Sequence, residues 1–251
     1  MTTFGRSDDL RGAEFVGVDL RGARFRGADL SGVVMRGVDI AGAEIESPWL
    51  LEGGTLLVDG VDVAPLVDAE LDRRFPGRAL RRADDPEGLR SAWAALQAAW
   101  DAAVARAAAM PAGTVDVSVG GEWSFAQTLR HLVMATDTWL RGAVLEVEAP
   151  YHPIGQPNDE YALDGYDPSV FAPGTPAYAD VLAVRAGRVA MVGDFLTSVT
   201  PEELAAPRRN PWAPQVQETT LSCVRTILEE EWEHLRYALR DLDAIEAGAV
   251  G

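Results

Sequence analysis

The sequence predicts an α+β chain that is mainly α: an up-and-down four-helix bundle preceded by a short repeat module and a β-hairpin. Three observations carry this expectation. A five-residue period runs from about residue 8 to residue 45. Four amphipathic segments of roughly 20 to 30 residues follow residue 85, the elements of a bundle. A long stretch rich in Pro, Gly and Tyr, residues 146–174, separates the second segment from the third, and a loop of that length is more often functional than idle.

In the repeat the central positions are Leu10, Phe15, Leu20, Phe25, Leu30, Met35, Ile40 and Ile45. A small or β-branched residue stands two before most of them (Ala13, Val18, Ala23, Ala28, Val33, Val38, Ala43), and glycine recurs between. Neither the 3.6-residue period of a helix nor the two-residue period of a strand explains this. The pattern resembles the pentapeptide-repeat family, with GADLSG around Leu30 a close match. The resemblance implies a right-handed quadrilateral β-helix of about two coils, its large central residues stacked inward and its ends in need of caps. So short a module is expected to dock or pack. Mimicry of DNA, a role of some long members, is disfavoured by Arg11, Arg21, Arg24, Arg26 and Arg36.

Beyond the repeat, Thr55 to Val67 reads as a β-hairpin turning at Asp59-Gly60. A short helix is expected over Ala69 to Phe75 and a charged linker over Arg78 to Asp85. Asp85-Pro86 supplies a cap and first-turn proline for a helix to about Met110, with Leu89, Trp93, Leu96 and Trp100 on its apolar face. Ser124 and Gln127 form a capping box for a second helix to about Leu145. The third is expected from Thr175-Pro176 to about Val199, the fourth from about Glu218 to Ala247. The expected domains are 1–50 (repeat), 51–85 (hairpin and linker) and 86–251 (bundle).

Asp and Glu outnumber Lys and Arg by 39 to 22, for a formal charge of −17, so nucleic acid and anionic membrane surfaces are not expected partners. No apolar run approaches the roughly 18 residues of a membrane span, and the N-terminus lacks a signal-peptide core, which points to the cytoplasm. Cys223 is the only cysteine. No phosphate-binding loop, nucleophile elbow or CxxC is present, which disfavours nucleotide-dependent and disulfide-exchange chemistry.

Of three histidines, His131 falls on the second helix and His234 on the fourth. Glu230 lies one turn before His234 on one face, while Glu231, three before it, is the alternative partner. Two imidazoles and a carboxylate suit Zn, Ni, Fe or Mn and leave positions open for water or substrate. The segments WSFAQTLRHL and LEEEWEHLRYALRDL resemble the DinB-like superfamily, in the branch of mycothiol-dependent maleylpyruvate isomerase. The resemblance implies a metal held by His131, Glu230 and His234, and a low-molecular-weight thiol such as mycothiol as co-substrate. That branch's further C-terminal domain, which carries a catalytic arginine, has no counterpart here, so its particular reaction is not carried over.

The expected function is a metal-dependent enzyme, with one divalent ion (Zn first) activating a thiol or water for transfer, isomerisation or lyase chemistry on a small molecule. A non-catalytic metal-binding or interaction module, docking through its repeat, is the alternative, and a homodimer is compatible with either. The 146–174 loop is expected to close over the metal, offering Tyr151, His152, Tyr161 and Tyr166 to substrate, with Arg236 and Tyr237 from the fourth helix. Helix-surface ion pairing is the plainer account of Arg236.

Overall fold

The computed structural model describes residues 3–158 and 160–249, with Trp49 described by its backbone alone. The ends of the first and last expected domains, residues 1–2 and 250–251, lie outside these. The chain divides into two compact units, Met1–Glu46 and Ser47–Gly251.

In the first unit the regular feature is a turn every ten residues. The N–H groups of Ala13, Ala23, Val33 and Ala43 donate to the carbonyls of Leu10, Leu20, Leu30 and Ile40 at 2.9–3.1 Å. The third residue of each turn is a glycine with φ between 73° and 76°, as a type II turn requires. Asp9, Asp19, Asp29 and Asp39 stand just before these turns, each carboxylate accepting from the backbone two residues on. The central apolar residues remain 45–64 % exposed, and no strand is formed among the described residues of this unit. The buried inward stack expected from the period is therefore not reached. In so short a solenoid a side chain has few neighbouring coils to cover it.

The second unit is mainly helical. Strands β1 (Leu57–Val58) and β2 (Val61–Asp62) pair around Asp59 and Gly60, both at positive φ. The hairpin is shorter than expected because helix α1 starts at Ala64 and runs to Arg74. Arg78 to Asp85 is no simple linker. A 3-10 turn at Arg78–Arg82 buries Arg78 and Arg81, which bond Asp68 and Asp72 on α1 at 2.6–3.2 Å, and Arg82 bonds both aspartates too.

Four long helices form the core: α2 (Pro86–Ala109), α3 (Phe125–Thr136), α4 (Tyr178–Ser198) and, after a short α5 (Pro201–Leu204) and a hairpin of β3 (Pro207–Arg209) with β4 (Gln217–Thr219), α6 (Thr220–Glu246). The Asp85 carboxylate accepts from the N–H groups of Glu87 and Gly88, and the Ser124–Gln127 capping box is formed. Leu89, Trp93, Leu96 and Trp100 of α2 are buried, as are Cys223, Ile227, Leu235 and Ala238 of α6. The second helix does not stay α to its end: Asp137–Val144 is a π-helix, its last turn closed by Leu145 N–H on the Leu140 carbonyl at 2.8 Å. Such segments are rare and concentrate at functional sites.

Helix directions correct the up-and-down expectation. Arg225 near the start of α6 bonds the carbonyls of Arg82 and Ala83 just before α2, and Arg106 near the end of α2 bonds Asp243 and Glu246 near the end of α6, so α2 and α6 are parallel. Arg90 at the start of α2 bonds the Leu196 carbonyl at the end of α4, so those two are antiparallel. Arg130 in α3 bonds the Gly174 carbonyl just before α4, and Asp137 beyond the end of α3 bonds Arg188 further along α4, so α3 and α4 are parallel. The order is up, down, down, up. The cause is the connection between α3 and α4, which is long enough to travel back along α3 before α4 begins.

Two ionic contacts hold this arrangement. Asp137, fully buried, accepts from Arg188 at 2.6 Å and from the His152 N–H at 2.8 Å. Glu231 of α6, also fully buried, pairs with Arg185 of α4, while burial pushes its carboxyl up to about 7 against the pull of that arginine. Replacing Arg185 by Met leaves Glu231 buried without its cation and should cost about 3–5 kcal/mol in urea unfolding, most of it recovered in the R185M/E231M double variant. The α1 cluster gives a pH signature. Burial alone would raise Asp68, but hydrogen bonds from Arg78 and Arg81 and the charges of Arg81 and Arg82 outweigh it and bring its pKa down to about 2. Its ordinary value in an unfolded chain is about 3.9, so this stabilisation is complete above that value and disappears as pH falls towards 2. Asp68→Asn should therefore cost about 2 kcal/mol at pH 7, and the difference from the parent should shrink between pH 4 and pH 2.

Candidate metal centre

His131, Glu230 and His234 meet where α3 faces α6, with a potential ligand atom from each within 4.8 Å of the others. One Glu230 carboxylate oxygen lies 3.5 Å from His131 Nε2 and 3.4 Å from His234 Nδ1. The imidazole centroids are 4.7 Å apart, and the Trp123 ring lies 4.6 Å from His131 and 6.0 Å from His234. All three side chains are partly buried.

The hydrogen bonds fix which face each imidazole presents. His131 Nδ1 meets the Gln156 carbonyl at 2.9 Å, and His234 Nδ1 meets the Glu230 carbonyl at 2.8 Å. A carbonyl can only accept, so each Nδ1 carries a proton and is committed to the backbone. Such backbone partners commonly orient metal-bound histidines. His131 Nε2 faces the Glu230 carboxylate, a contact that needs a proton or a metal cation between the two atoms. Burial, reinforced by the charge of His131, lowers His234 to about 4 and keeps it neutral at neutral pH. For Glu230 burial works upward, but the His131 contact and the two imidazole charges prevail and hold the carboxyl below its ordinary value. Two imidazoles and a carboxylate held below its ordinary pKa fit a borderline divalent ion such as Zn.

Helix rotation separates the two candidate carboxylates. Glu231, one residue on, points into the core against Arg185 while Glu230 faces His131.

The three residues lie in the wall of a cavity of about 650 Å³. Of the expected substrate contacts, Tyr161, Tyr166 and Tyr237 line it and three do not. Tyr151 sits behind the wall, its ring against Tyr161 and Phe171 and its hydroxyl 3.4 Å from Thr138 Oγ1. His152 is turned away: its N–H is held by Asp137 and its Nδ1 accepts from the Ile154 N–H at 3.1 Å. Arg236 is occupied on the helix surface by Glu233 at 2.7 Å and by the Tyr237 ring, 4.4 Å beneath its guanidinium.

Several lining residues escaped sequence reasoning. Trp123 carried a faint signal: it precedes the N-cap of α3, where an apolar residue usually packs on the fourth helical position, yet that position is Thr128. Trp212 lines the cavity from the segment between β3 and β4, and Arg78 and Arg81 from the supposed linker. Glu52 carried no signal. Burial, a hydrogen bond with Glu229 and the charges of Glu229, Glu230 and Glu233 push its carboxyl up to about 7.

A mainly helical unit whose two facing helices carry a His, Glu, His set able to hold a metal ion is the class that fold and site define. The description "DinB superfamily" matches residues 63–238, and "Pentapeptide repeats" matches eight copies over residues 9–45. The chain belongs to the DinB superfamily and carries an N-terminal pentapeptide-repeat segment. No curated protein and no solved structure matches it.

Because Trp123 packs on both imidazoles, Ni(II) added to metal-free protein should quench part of the tryptophan emission. That part should be missing in Trp123→Phe, and equal quenching in both proteins would mean that the ion binds elsewhere.

Proposed function

We propose that the chain is a metal-dependent enzyme of the DinB-like type, in which His131, Glu230 and His234 hold one divalent ion, Zn first and Ni, Fe or Mn as alternatives. The observation that carries this reading is the convergence of both imidazoles on the Glu230 carboxylate, each ring oriented by an Nδ1 contact with a backbone carbonyl. When bound, the ion would lower the pKa of a low-molecular-weight thiol of the mycothiol type, or of water, at a position the protein leaves open. The transfer, isomerisation or lyase chemistry then falls on a small molecule in the cavity.

The chain's own residues supply the rest. The 146–174 loop acts as a lid, with Tyr161 and Tyr166 excluding water from the reacting centre and Tyr237 bounding the opposite wall. Glu52, hydrogen-bonded to Glu229, holds a proton near neutral pH where substrate can receive or give one. An open cavity beside the three residues favours this reading over a closed structural metal site. The four long helices act as the DinB-like bundle over residues 86–251, with 51–85 as a hairpin and connector. The repeat over 1–50 completes a right-handed quadrilateral β-helix of about two coils and serves as a docking module. No described helix is long and apolar enough to cross a membrane. A cytoplasmic location, a homodimer and the lack of nucleic-acid partners complete the proposal.

Elemental analysis of protein purified without added metal should find one divalent ion per chain. His131→Ala, Glu230→Gln and His234→Ala should each lose it, while Glu231→Gln should keep it. Retention of metal by Glu230→Gln would refute the assignment. Metal-loaded protein that neither consumes thiol with any electrophile nor hydrolyses any ester or amide would leave the non-catalytic alternative.

A further inference from the structure

We infer that Arg130 is a positioning residue of the metal centre, acting through the loop segment Ile154–Gln156 to hold His131 in its ligating orientation. The inference rests on the proposed metal site and extends it to a residue that lines no part of the metal cavity.

Arg130 is 6 % exposed although it carries a permanent charge. Its Nε donates to the Ile154 carbonyl at 2.8 Å, Nη2 to the Gly155 carbonyl at 3.5 Å and Nη1 to the Gly174 carbonyl at 3.4 Å. The Arg130 backbone carbonyl accepts from the Gln156 N–H at 3.2 Å. The next residue, His131, donates Nδ1–H to the Gln156 carbonyl at 2.9 Å. Two successive residues of α3 thus bind three successive residues of the loop. The carbonyl that fixes the His131 tautomer is itself held in place by the arginine one position earlier. Burying a guanidinium is costly unless its N–H groups are satisfied, so the bond donors of Arg130 define where this backbone must run.

The segment sits under close steric limits of its own. A side chain at Gly155 would put a carbon 2.8 Å from the Phe171 ring, so the backbone there is pressed against an aromatic that packs with Met134 and Tyr161. Loop seating and His131 orientation are one coupled arrangement. A metal bound at Nε2 strengthens the Nδ1–H donor and so the hold on Gln156, and reciprocally a seated loop favours the metal. The same loop carries Tyr161 and Tyr166 to the cavity, so metal binding and formation of the cavity wall depend on each other.

The test uses the full chain with zinc as the probe. Zinc affinity is measured against a competing chelator, and amide hydrogen exchange is followed over residues 154–171 with and without zinc. Arg130→Gln should weaken zinc by about tenfold or more and remove most of the zinc-dependent protection of the loop, with Arg130→Lys intermediate because one ammonium can hold one carbonyl. Arg90→Ala, which removes a bond between α2 and the Leu196 carbonyl, is the control for a general loss of stability. It should lower the melting temperature and leave zinc affinity and loop protection as in the parent. Should Arg130→Gln fail to fold, Arg130→Lys against Arg90→Ala carries the comparison. Parent-like affinity and protection in the Arg130 variants, or an equal loss in Arg90→Ala, would overturn the inference. Failure of the parent chain itself to bind zinc at His131, Glu230 and His234 would bring down the metal reading, and the inference with it, and so is distinct from the other outcomes.

Discussion

The site depends on the backward course of the α3–α4 connection. A direct turn between the helices would have made them antiparallel and left the His131 end of α3 uncovered. The chain instead crosses back along α3, is fixed by Asp137 at one end and by Arg130 at the other, and starts α4 alongside the start of α3. A loop anchored at both ends loses its freedom once, on folding, and a ligand meeting it has less ordering left to do. The π-helix lies where this return begins, and its first residue is the buried Asp137.

Rotation of α6 is the second determinant. Glu231 on its face against α4 makes a buried ion pair, and Glu230, about 100° round the helix, faces α3. Ion pairs in a low-dielectric interior seldom stabilise more than apolar packing would, but they penalise every arrangement in which one partner is buried alone. Arg185 and Glu231 allow α6 one rotation, and that rotation presents Glu230 and His234 together. Of the two adjacent glutamates, alike at the level of helical spacing, one is engaged by an arginine on another helix and the other faces the histidines.

Much of this was legible in the sequence because it obeys local rules. The Asp85 cap, the Ser124–Gln127 box, the apolar faces of α2 and α6, and the four-residue spacing of Glu230 and His234 depend on neighbours within a turn or two. The missing parts depend on distant partners. Arg78 to Asp85 reads as a solvated charge run until Asp68 and Asp72 are placed beside it. The direction of α4 is invisible to periodicity, since an amphipathic stripe has no polarity. His152, expected to face substrate, is the place where the returning loop is pinned to Asp137. Glu52 acquires its chemistry from burial and from carboxylates about 180 positions later in the chain.

The N-terminal unit, read by fives, is built by tens. Aspartate and an aliphatic residue open one turn, and the following five residues, centred on Phe15, Phe25, Met35 or Ile45, form no equivalent hydrogen-bonded turn. The structural module is therefore the pair of pentapeptides. A gene that gained or lost a single five-residue copy would set two like turns side by side and disturb the alternation, whereas duplication or deletion of ten residues preserves it.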